Sequence, residues 1–74
     1  MDNLQAMVLK AVKQLEETDL EAISDNTGIP PSIVKGVCNY LTRYGYLTQS
    51  QGGYRVTPKA TRALYEKEQE IEIK

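Results

Sequence analysis

Histidine is absent from this sequence of 74 residues, and cysteine occurs only once. One cysteine cannot form an internal disulfide, and without histidine or a second cysteine the chain has no ordinary zinc site. The single thiol, at Cys38, falls on the apolar side of a predicted helix, so we expect a small buried side chain rather than a reactive one. The middle of the chain has no paired carboxylates either. We therefore expect no enzymatic activity, no cofactor and no small-molecule ligand.

Long apolar runs are also missing. No segment approaches the length needed to span a bilayer, and the N-terminus is amphipathic rather than the continuous apolar core of a signal peptide. We therefore expect a cytoplasmic protein with no membrane partner. The length predicts one domain over residues 1–74, near the lower limit of what a single apolar core stabilises without help.

Acidic residues are absent between Asn26 and Tyr65, although the net charge of the whole chain is only −1. That segment has a formal charge of +5, and the remainder of the chain has −6. Such segregation favours one electropositive face that meets a polyanion, with acidic ends that keep the protein soluble. The alternative is that this segregation of charge is a coincidence in a short chain, because five positive charges are a modest number. They are Lys35, Arg43, Arg55, Lys59 and Arg62.

The stretch from Ile29 to Leu47 has the punctuation of one short helix that leads into a strand. A residue that precedes proline disfavours helix, whereas Pro31 suits a first helical position, so we expect the helix to begin near Pro31 or Ser32. Gly45 stands where a left-handed cap ends a helix. Taken alone, the segment is equally compatible with an ordinary amphipathic helix whose outer face is solvated. The inner face carries Val34, Val37, Cys38 and Leu41, and the outer face carries Ser32, Lys35, Gly36, Asn39 and Arg43.

Two helices are predicted before this stretch. The first covers residues 3 to about 17, because apolar residues recur there at spacings of three and four. Thr18 and Glu21 have the spacing of a capping box and predict a short helix over residues 19–26, closed by a tight turn at Gly28. The apolar stripe of the first helix consists of Leu4, Met7, Val8, Ala11, Val12 and Leu15.

After Gly45 the pattern changes from helical to alternating, which predicts strands near residues 46–49 and 54–57. Residues 50–53, Ser-Gln-Gly-Gly, form the turn of the resulting hairpin, whose tip is short and uncharged. A lone hairpin is marginally stable in water, so this one has to pack on the helices. The side chains expected to face inward are Leu47, Tyr54 and Val56.

A last helix is predicted after the hairpin, with Thr57 as its N-cap and Pro58 at its first position. Its inward residues are expected to be Ala60, Ala63 and Leu64, with Tyr65 partly covering them. The highly charged residues from about 68 to 74 are expected to be either frayed or used in dimerisation.

The predicted order is helix, helix, turn, helix, glycine, hairpin, threonine-proline, helix. Its two characteristic stretches are IPPSIVKGVCNYLTRYGYL at residues 29–47 and YRVTPK at residues 54–59. Both resemble the DNA-binding module of MarR-like and related prokaryotic transcription regulators, and the resemblance covers residues 18 to about 64. It implies an α+β, mainly helical, winged helix-turn-helix fold: three helices, a two-stranded antiparallel wing and a C-terminal helix.

The resemblance implies duplex DNA binding by a small transcription regulator. Its recognition helix, residues 32–44, is expected in the major groove, and its wing, residues 46–57, on the backbone or in the minor groove. The residues expected nearest to base edges are Ser32, Ile33, Lys35, Gly36 and Asn39. Those expected to contact the backbone are Arg43, Lys59 and Arg62, together with Arg55, which reaches a phosphate or the minor groove. Tyr40 is expected either to donate its hydroxyl to a phosphate or to pack against the wing or the first helix.

Two departures from the family pattern predict weak base reading. Gly36 stands where these helices often have a polar side chain, and Pro30 and Pro31 stand where serine or threonine is common. Specific binding is therefore expected to need a homodimer, formed through the first and last helices. The alternative is a protein–protein interaction module that uses the winged helix fold without nucleic acid.

Overall fold

The computed structural model describes residues 2–72, and for residues 67–72 only their backbone. Within those residues it confirms a mainly helical α+β chain with four helices and one two-stranded antiparallel sheet. No helix in the same part of the chain is long and apolar enough to cross a bilayer. In chain order the elements are α1 (Asn3–Leu15), α2 (Leu20–Thr27), α3 (Pro31–Arg43), β1 (Leu47–Ser50), β2 (Gly53–Val56) and α4 (Pro58–Glu72).

The first two helices begin at aspartate caps. The Asp2 carboxylate accepts the backbone N–H of Gln5 at 2.8 Å, and the Gln5 side chain accepts the N–H of Asp2 at 3.3 Å, which makes a capping box. In α2 the Asp19 carboxylate accepts an N–H of the first turn at 2.9 Å. The predicted capping box of Thr18 and Glu21 is therefore wrong, because the cap of α2 lies one residue later.

Thr18 belongs instead to the sheet. Its N–H donates to the carbonyl of Tyr54 at 3.1 Å, and the N–H of Tyr54 donates to the carbonyl of Thr18 at 2.7 Å. Gly53, next to this bridge, has φ +123°, and a Cβ there would run into the Thr18 carbonyl. Only glycine fits that position, so the hairpin is held tightly against the loop between α1 and α2.

The end of α3 follows the prediction. The N–H of Tyr46 donates to the carbonyl of Leu41 at 2.8 Å, and the N–H of Gly45 donates to that of Thr42 at 3.2 Å. Gly45 has φ +83°. This pair of bonds is a Schellman motif, which satisfies carbonyls of the last turn and fixes the direction in which the chain leaves toward β1.

The hairpin is tighter than predicted. The strands pair in register from Leu47 opposite Val56 to Ser50 opposite Gly53, so the connecting loop has only residues 51–52. The predicted turn at residues 50–53 is confirmed as a four-residue β-turn whose outer residues already pair, and both strands are displaced by one residue from their expected positions. Two-residue loops match the right-handed twist of paired strands, which favours the tighter arrangement.

The last helix begins as expected. The Thr57 hydroxyl accepts the N–H of Ala60 at 3.3 Å, and Pro58 occupies the first helical position. Tyr65, expected to cover the inward residues in part, is 60% exposed. The backbone of α4 is helical to Glu72. The rest of the expectation for residues 68–74 lies outside the described residues.

The core forms around α1, which packs against α2, α3, α4 and β2. Half of its predicted apolar stripe is wrong, because Leu4, Met7 and Leu15 are 38%, 43% and 39% exposed, whereas Ala6 and Leu9 are buried. Contacts on several sides of α1 bury Ala6 and Leu9 outside the predicted stripe, whereas Leu4 and Leu15 lie in the first and last turns of the helix. Other core residues are Val8, Ala11, Val12, Ile23, Ile29, Val34, Cys38, Leu41, Leu47, Tyr54, Ala60 and Leu64.

Candidate nucleic-acid interface

The turn between α2 and α3 holds the two helices in a fixed relation. Gly28 has φ +78° and donates its N–H to the carbonyl of Ser24 at 2.8 Å. The Ser24 hydroxyl donates to the Ile29 carbonyl at 2.6 Å, and the N–H of Ile29 donates to the Thr27 hydroxyl at 3.2 Å. Ile29 itself is buried. These hydrogen bonds fix the orientation of α3 relative to α2, and the outward face of α3 is exposed to solvent along its length.

The helix positions that we predicted to contact DNA share one broad outward face of α3. On the opposite side Val34, Cys38 and Leu41 are completely buried. All seven outward residues are exposed, and none of them is acidic. The fold therefore brings most of the predicted site together on one element. The seven are Ser32, Ile33, Lys35, Gly36, Asn39, Tyr40 and Arg43.

Gly36 stands in the middle of that face. A Cβ added at this position would meet no atom within 4 Å, so the glycine is not required by packing inside the chain. Mid-helix glycine costs about 0.5–1 kcal/mol of stability relative to alanine. What the glycine provides is bare backbone, which a ligand or a partner can approach closely.

The beginning of α3 is poor in free backbone donors. Pro30 is its N-cap and Pro31 its first residue, and neither has an N–H. The N–H groups of Ile33 and Val34 both donate to the Pro30 carbonyl at 3.0 Å. Helix N-termini bind phosphate through free amides and the helix dipole. The N-terminus of α3 has few free amides, so a phosphate bound there would have to contact side chains.

Lys59 lies at the other end of α3. Its ammonium donates to the carbonyl of Tyr44 at 2.7 Å and lies 4.6 Å from the ring centroid of Tyr46. Next to it, the Thr57 hydroxyl donates to the Gly45 carbonyl at 2.6 Å. A cation at this place stabilises the negative end of the helix dipole. Lys59, predicted to contact phosphate, thus has a structural role that ties α4 to α3.

The hairpin carries Arg55 on its solvent face. Arg55 pairs across the sheet with Thr48, and both side chains are exposed. At the hairpin loop the Ser50 hydroxyl donates to the Glu17 carboxylate at 2.5 Å, and that carboxylate lies against Gly52. The residues of the loop are themselves uncharged, as predicted, but the fold brings an acid to them from the segment that follows α1.

Arg62 is placed apart from the helix face. It lines a shallow groove with residues of the end of β2 and the first turns of α4, and α4 packs on α1 and β2. Of the ten predicted residues, Arg55, Lys59 and Arg62 therefore lie on elements other than α3. The other lining residues of the groove are Val56, Thr57, Pro58, Thr61 and Tyr65.

Sequence reasoning missed Tyr44. Its ring packs on that of Tyr40 with centroids 4.6 Å apart and an interplanar angle of 44°, and it is 51% exposed. The signal was present, because residues four apart share one face of a helix.

Neither the single cysteine nor the acidic residues form a reactive or metal-binding group in the described part of the chain. Cys38 is completely buried, as expected, and burial raises the pKa of its thiol to about 11. A thiol with that pKa is scarcely ionised at neutral pH and is a poor nucleophile. Among the described residues, no three histidine, cysteine, aspartate or glutamate side chains lie together in a way that would hold a metal ion.

Comparison of the chain with protein-family models and with curated proteins finds no match. Its function therefore has to be inferred from the surface itself.

Proposed function

We propose that the chain is a winged helix-turn-helix domain that binds duplex DNA as a small transcription regulator, similar to MarR-like regulators. The arrangement of α2, a glycine turn and α3, followed by a hairpin and a capped helix, supports this assignment. The one-residue bridge between Thr18 and Tyr54 supports it further, because it attaches the hairpin to the helices as a wing.

The observation that carries the proposal is the outward face of α3. It is exposed along its length, contains no acid and combines Lys35 and Arg43 with short polar groups. An α-helix fits the major groove of duplex DNA, where each base pair presents a distinct pattern of donors and acceptors. The same face is bare of side chain at Gly36, which lets the helix lie deep in a groove.

The roles within this face follow from side-chain chemistry. Lys35 donates to guanine acceptors, Asn39 pairs with adenine, and the Ile33 side chain contacts a thymine methyl. Each such base contact discriminates by about 1–3 kcal/mol. Arg43 and the wing residue Arg55 bind backbone phosphates, which position the domain without reading sequence. Two or three base contacts give a monomer only weak specificity.

We therefore also propose a homodimer formed through α1 and α4. It is supported by Leu4 and Met7, two large apolar side chains of α1 that are 38% and 43% exposed. A dimer doubles the number of base contacts and fixes the spacing of two half-sites. Light scattering across a concentration series tests it: Met7→Glu should shift the mass toward the monomer, and an invariant monomeric mass contradicts the dimer.

DNA binding is tested by titrating a fluorescently labelled duplex of mixed sequence at several salt concentrations. Affinity should fall steeply with salt, because cations on the protein release counterions from the phosphates. Lys35→Ala and Arg55→Ala should each weaken binding, whereas Lys13→Ala, an exposed lysine of α1, is the matched control and should not. If neither duplex DNA nor RNA binds at low salt, nucleic-acid binding is abandoned.

Protein binding is the second candidate, and the wing tip favours it. Glu17 places a negative charge beside the loop of the hairpin, where a DNA-binding wing would gain from a positive one. The apolar side chain of Ile33 is also 47% exposed on α3. A pull-down with the purified chain tests this function. It is supported if Ile33→Asp abolishes capture of a specific partner while Lys35→Ala does not.

A further inference from the structure

Two tyrosine rings pack on each other at the C-terminal end of α3. Tyr40 is 46% exposed and Tyr44 51%, and their ring centroids are 4.6 Å apart. They do not belong to the buried core. A pair of half-exposed aromatic rings is a large apolar surface in contact with water, and such a surface is typical of a binding site.

The rings form one side of a small hollow. It has a volume of about 250 Å³ and is lined by Asn39, Tyr40, Arg43 and Tyr44. The amide of Asn39 can both donate and accept hydrogen bonds, and the guanidinium of Arg43 provides a permanent positive charge. The hollow thus offers flat aromatic surface, one amide and one cation, and none of its lining residues is acidic.

A lysine compensates the negative C-terminal end of α3. Helix C-termini are negative and repel anions, but the Lys59 ammonium is bonded to the carbonyl of Tyr44 in this helix end. Arg43, which lines the hollow, adds a second cation to this part of the helix. A sugar-phosphate backbone can therefore pass this end of α3 without strong repulsion.

Paired bases cannot use such a surface. In a duplex each base is stacked on its neighbours and presents only its edges in the grooves, so the tyrosine ring faces would remain unoccupied. An unpaired base has a free face, and proteins bind single strands by stacking bases on aromatic side chains beside a basic groove. The hollow fits that second kind of ligand.

We propose that the hollow formed by Asn39, Tyr40, Arg43 and Tyr44 binds an unpaired nucleobase next to the duplex that α3 occupies. The inference rests on the proposed DNA binding and deepens it, because it defines the substrate as a duplex with a single-stranded extension. A base stacks on the exposed tyrosine surface and takes Asn39 as its hydrogen-bond partner in place of a duplex adenine, and Arg43 binds the phosphate at the junction with the duplex.

A protein side chain is the competing occupant of the hollow. Helix-in-groove contacts need a continuous row of apolar anchors. On α3 the polar Asn39 and Arg43 lie beside the rings in the same hollow. That mixture matches the interleaving of aromatic and basic groups in single-strand binding sites more closely than an apolar groove.

Fluorescence anisotropy with three labelled probes tests the proposal: a blunt duplex, the same duplex with a single-stranded extension, and the extension strand alone. The extension should tighten binding of the duplex by about tenfold, the effect expected of one stacked base. Tyr40→Ala and Tyr44→Ala should remove that gain, and Tyr44→Ala, which lies outside the predicted duplex contacts, should leave blunt-duplex affinity within about twofold. Tyr65→Ala, an exposed tyrosine of α4, is the matched control and should change neither affinity.

Phenylalanine variants separate stacking from hydroxyl contacts. Tyr40→Phe and Tyr44→Phe keep the ring and remove the hydroxyl, so under the proposal they retain the gain from the extension. If they lose it as the alanine variants do, the tyrosines bind phosphate through their hydroxyls and the proposal is overturned. Circular dichroism of each variant confirms that the fold is kept, and the phenylalanine pair remains informative if an alanine variant unfolds.

The remaining outcomes distinguish this proposal from the one on which it rests. If blunt and extended duplexes bind equally, the hollow does not hold an unpaired base, and duplex binding stands. If no probe binds at low salt, both proposals fall. If the tyrosines instead prove essential for binding a protein partner and not for the extended probe, the nucleobase assignment is wrong.

Discussion

Replacement of Gly36 by alanine should separate the stability of this domain from its binding activity. Gly36 has ordinary helical geometry, and an added Cβ would meet nothing within 4 Å. The substitution therefore removes the entropic cost of a mid-helix glycine and adds no clash. We expect the free energy of unfolding to rise by about 0.5–1 kcal/mol and the melting temperature by roughly 2–8 °C.

The same methyl group should weaken DNA binding. It projects from the outward face of α3 where bare backbone permits close approach, so a duplex seated there has to withdraw or deform. We expect a loss of about tenfold in affinity, equivalent to about 1.4 kcal/mol. Thermal melting by circular dichroism gives the first quantity, and anisotropy titration of a blunt duplex gives the second.

Gly28→Ala is the control for this experiment. It too has open space for a Cβ, but its φ of +78° is one that alanine adopts only with strain. It should destabilise the domain by about 1 kcal/mol without altering the affinity of the folded protein. If Gly36→Ala stabilises the domain and binds duplex as tightly as the original chain, α3 does not lie against DNA at this position and the reasoning is refuted.

Three further outcomes test the fold. Gly53→Ala should lower the free energy of unfolding, measured by urea denaturation, by roughly 2–4 kcal/mol, because alanine is strained at this φ and its Cβ meets the Thr18 carbonyl. A change below about 0.5 kcal/mol would contradict the close contact between Gly53 and Thr18. Asp19→Ala should lower the free energy of unfolding by about 1 kcal/mol because it removes the cap of α2, whereas Glu21→Ala should change it little. If Glu21→Ala proves the more destabilising of the two, Thr18 and Glu21 form the cap after all. Cys38 should react with a thiol reagent at pH 8 only as fast as the domain unfolds, since burial raises its pKa to about 11 and ionisation would begin well above that pH. Rapid labelling of the native protein would show that the thiol is accessible.

The elements that could be predicted from the sequence are those decided within a few residues. The start of α3 at Pro31 and its end before Gly45 depend on backbone rules that act locally, and the structure has both. The cap of α4 at Thr57 is of the same kind. Helix α1 was different, because its periodicity was clear but periodicity does not reveal how many neighbours surround a helix. Leu4 and Met7 fit the stripe and are exposed all the same.

The features that could not be predicted depend on pairs that are distant in the chain. Thr18 has the residue type and spacing of a helix cap, and nothing near it indicates that it will pair with Tyr54 across the fold. The bond between Ser50 and Glu17 joins residues 33 positions apart. Local propensity contains no information on such pairings, which form only when the hairpin packs on the loop between α1 and α2.

The position of Glu17 changes what the charge pattern means. The acid-free segment of the sequence is not an acid-free surface, because the fold returns one carboxylate to the hairpin loop and holds it there through the Ser50 hydroxyl. A negative charge at the loop repels phosphate within a Debye length of about 8–10 Å, and most strongly in low salt. The loop is therefore the part of the hairpin least suited to a DNA backbone, and under the proposed duplex binding the contact comes from the strand face that carries Arg55. Under duplex binding, the greater share of the affinity then falls to α3, where exposed groups and bare backbone occur together without an opposing charge.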